Sequence, residues 1–173
     1  MAKKKQPKKT AARPQLGDSV EILDAGSVLE EPITQTLETN YMPYAMSVIV
    51  SRALPEIDGF KPAHRKVLYT MYDMGLLKGN RTKSANIVGS TMHLNPHGDQ
   101  AIYDTMVRLA RGNESLLVPF VSGKGNFGKA YSRDMAYAAS RYTEAKLEEV
   151  CNELFRDIDK DTVDFVDNYD ATT

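Results

Sequence analysis

The segment Ser140-Arg-Tyr-Thr-Glu144 sets a tyrosine beside a guanidinium at what reads as the start of a helix. A neighbouring cation and a helix N-terminus both favour a phenolate, or a phosphate bound next to it. Tyr142 is therefore a candidate nucleophile and Arg141 its electrostatic partner. A lone tyrosine is nearly always packing, and this segment alone does not decide between the two readings. A second cluster, His64-Arg65-Lys66, follows Pro62 in the first turn of an expected helix, with Lys61 and Arg52 nearby in the chain. Cations there oppose the macrodipole at roughly 0.3–1 kcal/mol each, a cost that an external anion such as a nucleic-acid phosphate outweighs. The bland alternative is a solvated turn with indifferent charges.

Ser84 to Leu94 has helical spacing, Asn95-Pro-His-Gly98 is a turn, and a further helix opens at Gly98 or Asp99, carrying Ala101, Ile102, Met106 and Leu109. Two short helices around a tight turn suggest a helix-turn-helix, whose second helix enters the major groove by its N-terminal end, here His97, Gly98, Asp99 and Gln100. Arg108 and Arg111 suit the C-terminal end of that helix and could reach phosphates. An ordinary pair of packed helices has the same pattern. Gly123-Lys-Gly-Asn-Phe-Gly128 matches G-x-G-x-x-G, but a dinucleotide fingerprint needs its third glycine to open an apolar helix, and Lys129-Ala-Tyr-Ser-Arg-Asp134 follows instead. A hairpin wing is expected there, with Leu116 to Val121 as the strand leading in and a second short strand after. No G-x-x-x-x-G-K-[ST] occurs, so any ATP would be bound by another chain. Asp157-Ile-Asp-Lys-Asp161 lacks the glycine and glutamate of a calcium loop, having Thr162 and Asn168 in those places, and reads as a solvated acidic helix end.

The elements that must position these residues are mostly helical. From Pro32 to Ala53, Ile33, Leu37, Tyr41, Tyr44, Ala45, Val48 and Ile49 recur at helical spacing, an amphipathic helix with a bend expected at Pro43. A second helix runs from Pro62 to about Gly75 with Val67, Leu68, Met71 and Met74 as its stripe. A last helix is expected from near Tyr142, its inner face formed by Leu147, Val150, Cys151, Leu154, Phe155 and Ile158. Residues 1–25, rich in Lys, Pro and Gln and without periodicity, read as a disordered basic tail.

A chain of 173 residues has room for one core and a tail, not for two ordinary enzyme domains. Hydrophobic residues at 42% and charged residues at 26% exclude wholesale disorder. The net charge of −1 hides segregation: +6 over residues 1–15, −6 over 16–51, +6 over 52–142 and −7 over 143–173. The basic third segment holds the His64 cluster, the expected helix-turn-helix, the glycine-rich segment and the Arg141–Tyr142 pair, and can concentrate positive potential on one face. The single cysteine, Cys151, excludes an internal disulfide and falls on an apolar stripe, so core packing is expected. No apolar run approaches the roughly 20 residues that cross a bilayer, and no signal-peptide stretch follows the opening lysines, so a cytoplasmic chain is expected.

Taken in order, Ser51-Arg-Ala-Leu-Pro55, Gly59-Phe-Lys-Pro-Ala-His-Arg-Lys-Val-Leu-Tyr69, Pro96-His-Gly-Asp99, Gly125-Asn-Phe-Gly128 and Arg141-Tyr-Thr-Glu144 resemble one family, the A subunits of bacterial type IIA topoisomerases, DNA gyrase and topoisomerase IV. The likeness runs from Glu31 to the end and includes Thr162-Val-Asp-Phe-Val-Asp-Asn-Tyr-Asp170. The resemblance implies a mainly α fold with a small β wing, a winged-helix domain of the catabolite-activator type preceded by a helical arm. It divides the chain into a basic tail (1–25), an arm contacting the B subunit (26–55) and a DNA-cleavage domain (56–173) that stops before the family's tower. It further implies that Tyr142 forms a reversible 5′-phosphotyrosyl link during ATP-dependent strand passage, with Arg141 stabilising the transition state. Arg52, Lys61, His64, Arg65, Lys66, His97, Gly98, Asp99, Gln100 and Arg108 become expected contacts to double-stranded DNA. Mg2+ and ATP would both be held by the B subunit of an A2B2 heterotetramer.

The sequence departs from the family's His-Pro-His-Gly-Asp-Ser, having Asn95-Pro-His-Gly-Asp-Gln100, and its turn at Asp58 is one residue shorter. The family's serine and an acidic residue on the fourth helix anchor a metal-water bridge to quinolone drugs; here these are Gln100 and Asp104, so a weakened drug response is expected. Two other readings fit parts of the chain: a winged-helix DNA-binding module without cleavage chemistry, and a module that docks the B subunit.

Overall fold

Helix α1 (Ile33–Val48) carries Pro43 inside it and passes directly into a π-helical turn, Ile49–Ala53. The period expected over 32–53 is present, but the apolar stripe is largely exposed. Ile33 is 71% exposed, Leu37 54% and Tyr44 61%, and α1 contains no buried residue. This computed structural model describes residues 31–112, 116–129 and 136–167, so the expected basic tail (1–25) and residues 130–135 after the glycine-rich segment lie outside the described residues. The chain divides into two compact units, Met1–Tyr41 and Met42–Thr173. Among the described residues no helix is long and apolar enough to cross a membrane.

The core of the second unit begins with α2 (Pro62–Asp73). Pro62 takes a first-turn position after the extended Lys61, where a missing N–H costs nothing. At the other end Gly75, at φ +71, lets the Leu76 N–H reach the Met71 carbonyl (3.0 Å) and its own N–H reach that of Tyr72 (2.8 Å), a Schellman stop. Val67, Leu68 and Met71 are fully buried, as their spacing predicts. They meet Ile87 and Val88 of α3 (Ser84–Thr91) and Ile102, Met106 and Leu109 of α4 (Asp99–Ala110) in one apolar cluster. Gly98 is the N-cap of α4, with Asp99 in the first turn and Arg108 in the last, both favourable to the dipole. Ala101, placed on that stripe by the spacing, is exposed. Cys151 is fully buried with its thiol donating to the Phe120 carbonyl (3.2 Å), and burial pushes its pKa up to about 11.

The β structure differs from expectation. It is a three-stranded antiparallel sheet in the order β1 (Thr82–Lys83), β3 (Glu144–Leu147), β2 (Val121–Lys124). The strand expected over Leu116–Val121 starts only at Val121 and runs into the glycine-rich segment; Leu116 makes an isolated bridge to Gly112. The helix expected from Tyr142 is absent. In its place Thr143, Ala145 and Leu147 are buried and alternate with the less buried Glu144 and Lys146, a period of two. Glu-Ala-Lys-Leu is composed of strong helix formers, so pairing with strands on both sides overrides local propensity here. Helix follows only at α5 (Cys151–Leu154), and Val150, expected inside, is 37% exposed.

Candidate functional site

Tyr142 ends a three-residue 3-10 turn, Ser140–Tyr142, closed by its N–H to the Ala139 carbonyl (2.9 Å). The next residue is extended and enters β3, so Tyr142 does not open a helix of its own, and that part of its expected activation falls away. What remains is Arg141, whose guanidinium carbon lies 4.9 Å from the centroid of the Tyr142 ring. Tyr142 is 67% exposed, so its phenol is presented to solvent rather than packed. The turn rests on Gly125, at φ +112: a side chain there would meet the Thr143 methyl at 3.3 Å and the Tyr142 carbonyl at 3.4 Å. The Asn126 side chain binds the Ala136 carbonyl (3.1 Å), and its own carbonyl accepts the Ala138 N–H (2.9 Å), tying the glycine-rich segment to the chain that leads into the turn.

Strand pairing assembles a basic surface that no local motif announces. Lys83 and Lys124 both face Glu144 across the sheet, at 2.9 Å and 3.9 Å, and Ser122 pairs with Lys146. Arg81 continues this face, donating to the Ser122 hydroxyl (2.8 Å). Lys83 and Lys124 thus share one carboxylate, two positions from Tyr142 in the chain, with Arg81 and Lys146 on the same face. The Lys83 ammonium, by hydrogen bond and charge, holds the Glu144 carboxyl below its ordinary pKa, with Lys124 and Arg81 adding to the effect. The signal for this face is the strand register itself, which sequence spacing does not supply.

The other expected residues have assorted placements. Arg52 closes the exposed π turn. Lys61 is exposed ahead of α2, and Lys66 is half-buried within it. His64 is half-buried, its Nδ1 accepting the Lys61 N–H (3.3 Å) and its ring lying edge-on to Phe60. Burial, then the charges of Lys61 and Arg108, lower its pKa, so His64 favours the neutral form and serves as a cap rather than a third cation of that turn. Arg108 is exposed in the last turn of α4. Arg65 is engaged internally, to Asp58 at 2.6 Å and Glu56 at 3.3 Å, and holds the turn before α2. His97, Gly98, Asp99 and Gln100 are all exposed at the start of α4. Gln100 donates to Asp104 (2.7 Å) and lies 2.9 Å from the Tyr137 hydroxyl, which itself donates a short hydrogen bond to Asp104 and has its pKa raised by it. An open cleft of about 460 Å3 lined by Tyr69, Tyr72, Asp73 and Phe165, among others, contains none of the expected site residues.

The family model for the A subunit of DNA gyrase/topoisomerase IV matches residues 52–173. The DNA gyrase A subunit of Halalkalibacterium halodurans is 49% identical over 152 residues, 86% of this chain and 18% of the relative. That of Borreliella burgdorferi is 50% identical over 146 residues (83% and 18%), and that of Mycolicibacterium smegmatis 51% over 141 (80% and 16%). The chain thus spans under a fifth of the length of these relatives. Arg141, Tyr142 and the basic sheet face all fall within the matched segment, and the chain belongs to the family of DNA gyrase/topoisomerase IV A subunits.

Proposed function

We propose that this chain is the DNA breakage-reunion part of a type IIA topoisomerase A subunit, with Tyr142 as nucleophile. The observation that carries the reading is the exposed Arg141–Tyr142 pair, on a braced turn beside a sheet face where cations outnumber carboxylates. The Tyr142 oxygen attacks phosphorus, the bond to the 3′ oxygen breaks, and the tyrosine proton ends on the released 3′ hydroxyl. The product is a 5′-phosphotyrosyl ester that the 3′ hydroxyl can reverse without ATP. Arg141, lifted off the ring, would bind charge developing on the phosphoryl oxygens. Magnesium, which the family resemblance assigns with ATP to the B subunit, would share that charge.

DNA would lie along the start of α4 (His97, Gly98, Asp99, Gln100) and the region of Lys61, His64, Lys66 and Arg108, with Arg52 and Arg65 as further contacts. Arg81, Lys83, Lys124 and Lys146 extend this set as phosphate contacts. The helix pair α3 and α4 with its three-stranded sheet supports a winged-helix reading, and the uncovered apolar side chains of α1 support an arm docking the B subunit of an A2B2 assembly. Gln100 and Asp104 are bound to each other and to Tyr137, which favours a weakened quinolone response. Cleavage complexes forming at the same drug concentration with Gln100→Ser as with the parent sequence would contradict that.

The test is covalent capture with the complete A subunit carrying this segment, its B partner, magnesium and labelled DNA, denatured in SDS and compared with Tyr142→Phe. An adduct lost in the variant supports the proposal. Equal adduct in both removes Tyr142 from the role, and DNA binding without adduct in either identifies a non-catalytic winged-helix module.

A further inference from the structure

We infer that Ser84, Tyr103 and Thr143 form a buried hydroxyl clamp whose function is to position Tyr142 for attack; the inference rests on the proposed role of Tyr142 as nucleophile. The 3-10 turn that carries Tyr142 is three residues long and has little regular structure of its own to fix it. Both of its flanks are instead tied to helices. Before the turn, the Ala138 carbonyl accepts the Tyr103 hydroxyl of α4 at 2.7 Å. After it, the Thr143 hydroxyl lies 2.9 Å from the same Tyr103 oxygen and donates to the Ser84 hydroxyl at the start of α3 at 2.7 Å. The Ser84 N–H closes the set by donating to the Thr143 carbonyl at 3.0 Å. The Tyr103 hydroxyl therefore reaches both ends of the turn, its single proton shared between the Ala138 carbonyl and the Thr143 oxygen, and one serine holds the outgoing end through side chain and backbone.

Ser84 and Thr143 are fully buried and Tyr103 is 3% exposed, whereas Tyr142 between the tied flanks is 67% exposed. Burying hydroxyls is unfavourable unless each is partnered, and apolar side chains of the same shape would fill this space at similar stability. Packing alone therefore does not require three hydroxyls here. Their arrangement fixes the backbone on either side of Tyr142 and leaves its side chain free to meet DNA. Attack needs the reacting atoms aligned to within a fraction of an ångström, so a turn that drifts loses rate without losing its ligand. Thr143 is on this account a positioning residue acting through the backbone of Tyr142.

The experiment measures the rate of SDS-trapped adduct formation at saturating DNA, and DNA affinity separately, for the complete A subunit with its B partner and magnesium. Thr143→Val keeps the shape and removes the hydroxyl; it is expected to slow adduct formation by about 100-fold with DNA affinity unchanged. Thr143→Ser is expected to restore the rate. Tyr103→Phe cuts the tie to both flanks and is expected to act in the same direction as Thr143→Val, which keeps the test available if the valine variant folds poorly. Wild-type rates in Thr143→Val and Tyr103→Phe overturn the clamp, as does a serine variant as slow as the valine one. Tyr142→Phe, run in parallel, reports on the underlying reading: adduct surviving there refutes the nucleophile, whereas adduct lost there with wild-type rates in the clamp variants refutes the clamp alone.

Discussion

Helix α1 and the Tyr142 turn both expose large side chains, on opposite footings. Along α1 and the π turn, Ile33, Leu37, Met42 and Val50 are more than half exposed, and nothing in that helix is buried. At the turn, Tyr142 is equally exposed, yet the residue after it is fully buried and hydrogen-bonded to α3 and α4. An apolar helix face without cover is an unfinished interface, since burying each such side chain would be worth roughly 1.5–3 kcal/mol. An exposed group on a braced turn is finished, because its partner is needed only for chemistry. On the proposed function, the contrast separates a surface for a protein partner from one for substrate.

The largest effect that would break the comparison is in the core. Leu68→Ala, at a side chain 1% exposed, is expected to destabilise this segment of the complete protein by about 2–5 kcal/mol. Leu37→Ala on α1 should change the free protein by no more than about 0.5 kcal/mol. Urea-dependent proteolysis of the segment reads both, and equal costs would show that α1 is covered after all. Next, Gly125→Ala forces a side chain into the positive-φ region against Thr143. It should cost roughly 1–3 kcal/mol by the same assay and slow adduct formation as well. A variant with unchanged rate would mean that the turn is not held from below.

A third prediction sharpens the substrate side. If the outward sheet face binds phosphates, Lys83→Ala and Lys124→Ala should each make the slope of log affinity against log salt shallower by about 0.9, and Glu144→Gln should not weaken binding. Titrations at several salt concentrations distinguish this from a structural role, which would leave the slope unchanged. The smallest effect concerns His64. Its folded pKa lies below the ordinary 6.5, so the unfolded chain holds more protons in the window between the two values. Stability from neutral His64 is complete above 6.5 and is lost as pH falls through that window. His64→Gln should flatten the pH dependence of segment stability there, and an unchanged dependence would assign it to another group.

Helices α2 and α4 are legible in the sequence because a 3.6-residue stripe, a first-turn proline and stop or cap glycines all agree on them. The stripe of α1 is equally legible, but its exposure is not, since a period says which residues share a face and not what covers it. Glu144–Leu147 misleads because four helix formers make the middle strand of a sheet. The same pairing explains why Arg81, Lys83, Lys124 and Lys146 carry no signal in the sequence: segments distant along the chain meet only once the register exists. The hydroxyl clamp is hidden likewise, because Ser84, Tyr103 and Thr143 each look ordinary in their own segment. Arg141 and Tyr142 stand out through their motif, not through local physics, and the helix N-terminus expected beside them is not there.

The central claim is that the Tyr142 oxygen takes the phosphate. The most direct measurement is to trap the adduct of the complete enzyme with SDS, digest the DNA and the protein, and locate the residual nucleotide by peptide mass spectrometry. A 5′-linked nucleotide on Tyr142 is the expected result; a nucleotide on any other residue, or none while DNA remains bound, contradicts the claim.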